Sequence, residues 1–138
     1  METDPHRIVE RARLAVGARF RPQGRRIEDG LDCAGLAAFA FAAGQAAVPD
    51  DYSLRGGTVE MLARQLGALG FAPAPGAEFR AGDLGVFAPG PGQLHLAIVT
   101  EATLIHADAG LRRVVERPLP PPWPLAGLWR VRSEREEG

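Results

Sequence analysis

The sequence predicts an α+β domain in which helices come first and an antiparallel sheet follows. Three observations carry this. Apolar residues recur at helical spacing up to about residue 70, and the period shifts towards two beyond it. At the same point the composition turns from Ala- and Arg-rich to rich in Pro, Gly and β-branched residues. Between them, Cys33 to Ala43 is an eleven-residue stretch without a charge, apolar on every side, as a buried central helix is. At 138 residues, 46% hydrophobic and 24% charged, the chain suits one domain spanning 1–138 and leaves no room for a second. Residues 1–5 and 133–138 are expected to fray.

In chain order, Asp4 is placed to cap a first helix with Pro5 in its first turn. Ile8, Ala12, Ala15 and Val16 form its apolar stripe, and Gly17 ends it. Its His6 falls at the exposed start. A Gly- and Arg-rich loop, 17–31, with Phe20 as its only aromatic, leads to the cysteine helix, which Gly44 stops. Phe20 either walls a pocket or packs. Turn residues at 48–53 precede a third helix, capped by Thr58 and closed by Gly70, with Val59, Leu62, Ala63, Leu66 and Leu69 on one face. Strands are expected at Leu84 to Phe87, Leu94 to Thr100, Leu104 to Ala107 and Arg112 to Arg117. Pro118 to Pro124, with Trp123, makes a stiff extended crossing before a last strand, Gly127 to Arg132, that buries Leu128 or Trp129.

A net charge of −1 and a pI near 6.3 argue against nucleic acid as a partner. No apolar run approaches the roughly 20 residues a membrane helix needs, so no membrane partner is expected. The polar, acidic N-terminus is no signal peptide, which points to synthesis in the cytoplasm. Every base is arginine, and Arg19, Arg21, Arg25 and Arg26 crowd the loop before the cysteine helix. They either meet an anionic substrate or lie solvated. A single cysteine forms no internal disulfide and excludes a zinc site of cysteines.

Chemistry concentrates at that cysteine. With Asp32 near the N-cap, Cys33 falls in the first helical turn, beside unpaired N–H groups and the positive end of the dipole. Such a position lowers a thiol pKa below its usual value of about 8.5, whereas a cysteine buried within a helix is otherwise an inert small hydrophobe. A thiolate needs a base, and the base is commonly oriented by a further polar group. His95 and His106 lie in neighbouring strands. They share a face if the turn between the strands holds two residues and are separated if it holds three.

Five short motifs then align in order: Gly17-Ala18-Arg19-Phe20, Asp32-Cys33-Ala34-Gly35-Leu36, Gly82-Asp83-Leu84, His95-Leu96-Ala97-Ile98 and Ile105-His106-Ala107. In these the chain resembles the NlpC/P60 cysteine peptidases, and in Asp51-Tyr52-Ser53, the Gly70-Phe71 helix end and the Leu119 to Trp129 region it looks most like their short phage-type and gene-transfer-agent-type cell-wall members. The resemblance implies a papain-like core with N-terminal helices packed on a C-terminal antiparallel sheet. It implies Cys33 as nucleophile, His95 as general base and His106 as the residue that orients His95. Asp32, Phe20 and Ala34 would face the substrate. Phe20 stands where tyrosine is common and Ala34 where serine is common, each losing a hydroxyl. The implied reaction is cleavage of a peptidoglycan stem peptide next to D-glutamate, often at a D-γ-glutamyl-diaminopimelate bond, with no metal and no cofactor. Phage-like tail proteins are implied partners, and delivery to the wall would follow such a tail or lysis. Two other readings of the same chain are a catalytically silent tail-tip module and a cysteine amidase acting on a small cytoplasmic amide.

Overall fold

A computed structural model describes residues 4–41, 64, 67, 71–74 and 78–131. Helix α1, Pro5–Ala15, begins where Asp4 accepts the His6 N–H at 2.9 Å, so Asp4 and Pro5 are a defined cap and not a frayed end. It buries Ile8, Val9, Ala12 and Ala15. Val16, expected in that stripe, is 41% exposed, because the helix stops at Ala15 and Val16 turns away at φ −59°, ψ 130°. Gly17 follows at φ +93°, the left-handed position that favours glycine. Helix α2, Cys33–Ala40, packs on α1, and Arg11 joins them: its Nε donates to the Phe39 carbonyl at 2.8 Å while its guanidinium lies 4.4 Å above the Phe39 ring. The expected helix from Thr58 to Gly70 and the turn at 48–53 lie outside the described residues, apart from Arg64 and Gly67, which are helical.

Among the described residues, the strands are β1 (Arg25–Arg26), β2 (Gly30–Leu31), β3 (Phe71–Pro73), β4 (Leu84–Phe87), β5 (His95–Val99), β6 (Thr103–Asp108), β7 (Arg113–Pro118) and β8 (Leu125–Val131). Six of them form one antiparallel sheet in the order β3-β8-β4-β5-β6-β7. β3 was not legible: three residues give no period, and Phe71 reads equally as the end of a helix. The loop 17–31 also contains more structure than its glycines suggest. β1 and β2 pair as a small hairpin, and 17–21 runs as an extended segment between β7 and β2. Gly17 and Phe20 donate to the carbonyls of Val114 and Arg112 at 2.8 and 3.0 Å, and Leu31 donates to the Arg19 carbonyl at 2.8 Å. The sheet is thereby carried round to the residue before Asp32.

Each central strand is covered on both faces. On the helix side Leu84, Val86, Leu96, Ile98, Ile105, Ala107, Val114 and Trp129 meet Ile8, Ala12, Leu36, Ala37 and Ala40. On the other side Phe87, Ala97, Val99, Leu104 and Leu128 form a second core, closed by Trp123, Leu119, Leu125 and Phe79. The last strand therefore buries both Leu128 and Trp129, one on each face. Phe41 meets Phe71 edge-on at 4.6 Å and ties the end of α2 to β3.

Candidate active site

Asp32 fixes the start of α2. One carboxylate oxygen accepts the Gly35 N–H at 2.8 Å, the N-cap bond, and the other accepts the Gln23 N–H at 2.7 Å, which holds the preceding loop against the helix. Cys33 is thus the first residue of the helix, as its sequence requires. Ala34 is 2% exposed in the helix-side core, and Phe20 packs against the same core. Of the two roles open to Phe20, packing is the one the structure displays.

The thiol meets β5 at Leu96. The backbone of Leu96, together with the backbone at Ala34 and Cys33, favours the thiolate. Burial acts the other way and outweighs them, and the nearby Asp32 charge adds to it, so the thiol is pushed up to about 12. The expected lowering is reversed. The helix start is where the sequence places it, but Cys33 keeps only part of its surface to solvent and packs on the core, so its sulfur loses more from missing water than it gains from the dipole.

The two histidines are brought together. Thr100 N–H donates to the Thr103 carbonyl at 2.9 Å and Thr103 N–H donates to Thr100 Oγ1 at 2.9 Å, so Glu101 and Ala102 make a two-residue turn. Val99 then opposes Leu104 and Ile98 opposes Ile105. Continued, this register sets His106 opposite Ala97, two residues from His95 and on its face. The paired ladder ends at Ile98 and Ile105, and beyond it His95 Nε2 lies 3.0 Å from His106 Nδ1. Trp123 stands edge-on to both rings, with centroids 4.8 and 5.0 Å away, and touches Phe87 at 5.5 Å. Sequence reasoning placed Trp123 in a crossing segment and missed this contact, since nothing local marks which face a Pro-rich loop will cover.

Burial, then His106, pushes His95 down to about 4, opposed by Asp108. Burial also lowers His106, with Asp108 raising it and Arg117 lowering it. Both imidazoles are therefore neutral at pH 7. Among the described residues, His106 Nε2 is buried without a hydrogen-bond partner, in keeping with an uncharged ring. The stability consequence has a definite sign. An unfolded histidine takes its proton near pH 6.5 and folded His95 only near 4, so the unfolded chain binds more protons between those values. Stability is expected to fall by about 3 kcal/mol as pH drops from about 6.5 to 4. Urea midpoints across that range measure it, and His95→Gln should flatten the curve; an unchanged slope in that variant would remove His95 as the cause.

Among the described residues no group of three or more histidine, cysteine and carboxylate side chains is placed to hold a metal ion. No described helix is long and apolar enough to cross a membrane.

No family model matches the chain, and no curated protein matches its sequence. Solved structures do match. NlpC1 from Trichomonas vaginalis superposes with a TM-score of 0.69 at 19% identity, covering 94% of this chain and 44% of that one. The peptidoglycan hydrolase RipB from Mycobacterium tuberculosis gives 0.58 at 21% identity over 94% of this chain and 65% of that one. The NlpC/p60 domain of the peptidoglycan hydrolase SagA gives 0.54 at 24% identity over 83% and 89%. The chain spans less than half the length of NlpC1 and of NlpC2 from the same organism, 44% and 46%. The α+β fold is that of the NlpC/P60 domains, with the helices and sheet arranged as the motifs implied.

Proposed function

We propose that the chain is a cysteine peptidase that hydrolyses peptidoglycan stem peptides, with Cys33 as nucleophile, His95 as general base and His106 as the residue that orients it. The observation that carries this is the 3.0 Å bond from His95 Nε2 to His106 Nδ1 at the start of β5, one residue from the Leu96 backbone that meets the thiol. The bond commits Nε2 of His95; the ring lies under Trp123 on the face with Phe87 and Ala97, among the described residues no hydrogen bond joins it to Cys33, and the proposed role requires its Nδ1 to turn to the sulfur. In the tautomer this role needs, His95 Nε2–H donates to His106 Nδ1 and His95 Nδ1 carries the lone pair.

The resting pair is neutral, thiol and imidazole, so the proton moves as the bond forms. Sγ attacks the scissile carbonyl carbon, its proton passes to His95 Nδ1, and the oxyanion is met by backbone N–H groups at the start of α2, that of Cys33 among them. Collapse expels the amine, which takes the proton from His95 and leaves a thioester. Water, deprotonated by His95, hydrolyses the thioester and restores the thiol. Cleavage at a D-γ-glutamyl-diaminopimelate bond, with Asp32 flanking the substrate, belongs to this reading, as does delivery to the wall by a phage-like tail or after lysis; Ala34 and Phe20, implied as substrate contacts, pack in the helix-side core instead. The peptidoglycan hydrolases sharing the fold, RipB and SagA, support the choice of polymer.

Incubating the protein with diaminopimelate-type sacculi is expected to release soluble stem-peptide fragments, and mass spectrometry of those fragments locates the bond. If nothing is released while an active wall hydrolase succeeds on the same sacculi, the silent-module reading replaces this one.

A further inference from the structure

His95, assigned above as the base, is turned away from the thiol it would serve. It opposes Phe87 across β4 and β5, and both side chains lie on the outer face of the sheet with Ala97 and Val99. Cys33 packs on the other face, against the helix-side core. What covers His95 is an indole. Trp123 stands edge-on to His95 and His106, with centroids 4.8 and 5.0 Å away, and touches Phe87 at 5.5 Å. A pivot of His95 about its bond to His106 meets that ring.

The strap that carries Trp123 is fastened at its two ends. Leu119 N–H donates to the Ala102 carbonyl at 3.1 Å, and the Pro124 carbonyl accepts the Ala88 N–H at 2.9 Å. Between them Pro120, Pro121 and Pro122 have no N–H to donate, and among the described residues 120–123 make no hydrogen bond. There the indole seats the strap on the sheet. His95 is also weakly tethered at its own strand. β5 pairs with β4 as far as His95, but its ladder to β6 stops at Ile98 and Ile105, so His95 and Leu96 are bonded along one edge only. Before them runs Pro89-Gly90-Pro91-Gly92, largely exposed, with Gly92 at φ +69°. The bond from Ala88 to Pro124 ties this loop to the strap, so the strap and the approach to His95 are coupled.

We propose that the 119–124 strap is an autoinhibitory latch: seated by Trp123, it holds His95 on the outer face of the sheet, and its release lets the imidazole turn to the sulfur of Cys33. The proposal rests on the thiol mechanism above. Release also returns water to His95, which favours the imidazolium that a thiolate needs as its partner. The other ionisable groups acting on that ring are His106 and Asp108, and Asp32 is the charge beside the thiol.

The test reads the thiol directly and turnover separately. Trp123→Leu removes the indole and keeps an apolar side chain over the outer core. Pro122→Gly, at an exposed position, keeps the indole and loosens the strap by giving its backbone more conformations. At pH 7 the rate of Cys33 alkylation by iodoacetamide is expected to rise about tenfold in Trp123→Leu and about threefold in Pro122→Gly. Adding His95→Gln to either should abolish the rise. Trp123→Phe keeps an aromatic edge over the histidines and should stay within about twofold of the parent. Unchanged alkylation in the folded variants overturns the latch, and so does a rise that survives His95→Gln, which would report a more exposed sulfur and nothing else. If Trp123→Leu does not fold, Pro122→Gly decides alone. A rise that needs His95, in a protein that releases no peptide from sacculi, supports the latch and overturns the stem-peptide reading.

Discussion

Asp83→Ala is expected to lower stability by about 3 to 5 kcal/mol, the usual cost of removing one partner from a buried ion pair. Asp83 is 1% exposed and holds Arg130 with two bonds, Oδ1 to Nε at 2.8 Å and Oδ2 to Nη2 at 2.9 Å. Its Oδ2 also accepts the Arg80 N–H at 2.9 Å, closing the turn before β4. The Gly-Asp-Leu motif is thereby explained as architecture. Gly82 sits at φ +90° with no room for a side chain, since a Cβ there would fall 2.8 Å from Pro5 Cβ. Asp83 then clamps β4 to β8, and Leu84 enters the core opposite Trp129. Alanine removes a charge and three hydrogen bonds and leaves Arg130, itself only 22% exposed, without its carboxylate. For a domain of this size the melting temperature should drop by about 10 °C. Asp83→Asn retains an acceptor for Arg80 and should fall between the two. A shift below about 1 kcal/mol in the alanine variant would show that the pair does not hold the strands.

What the sequence displays and what it hides divide along physical lines. The start of α1, the capping of α2 by Asp32 and the strands β4 to β7 were legible because caps and alternation act over a few residues. The shared face of His95 and His106 was legible up to one alternative, the length of the turn, and Thr100 and Thr103 settle that by pairing around Glu101 and Ala102. The strand β3, the Trp123 roof and the bridge from Arg19 to Arg113 were not legible, because each depends on a long-range contact. The thiol shows a third case. Its place at a helix start was read correctly, yet the inferred titration was reversed, because a dipole is written in local sequence whereas desolvation depends on what packs over the sulfur.

Cys33→Ala is expected to reduce hydrolysis of stem peptides by at least about 10³-fold while changing stability by less than about 1 kcal/mol. Alanine is the better helix former, and the half-buried side chain at the first turn of α2 gives up only one sulfur. Loss of turnover then reports the nucleophile and not the fold. The same thiol has a second signature. Pushed up to about 12, with His95 pushed down to about 4, it forms no resting ion pair at neutral pH. Its alkylation by iodoacetamide should therefore be slower than that of a free cysteine at pH 8. The rate should still be rising at pH 10, where a thiol of ordinary pKa, about 8.5, has levelled off. A plateau below pH 8.5 would mean that a thiolate–imidazolium pair forms before substrate arrives, and the concerted proton transfer from Sγ to His95 would be wrong. Retained turnover in Cys33→Ala would remove the thiol from the mechanism. With turnover lost and alkylation still rising at pH 10, attack on the carbonyl must supply the driving force that moves the proton. Substrate binding at Cys33, and not a pre-formed thiolate, would then set the rate.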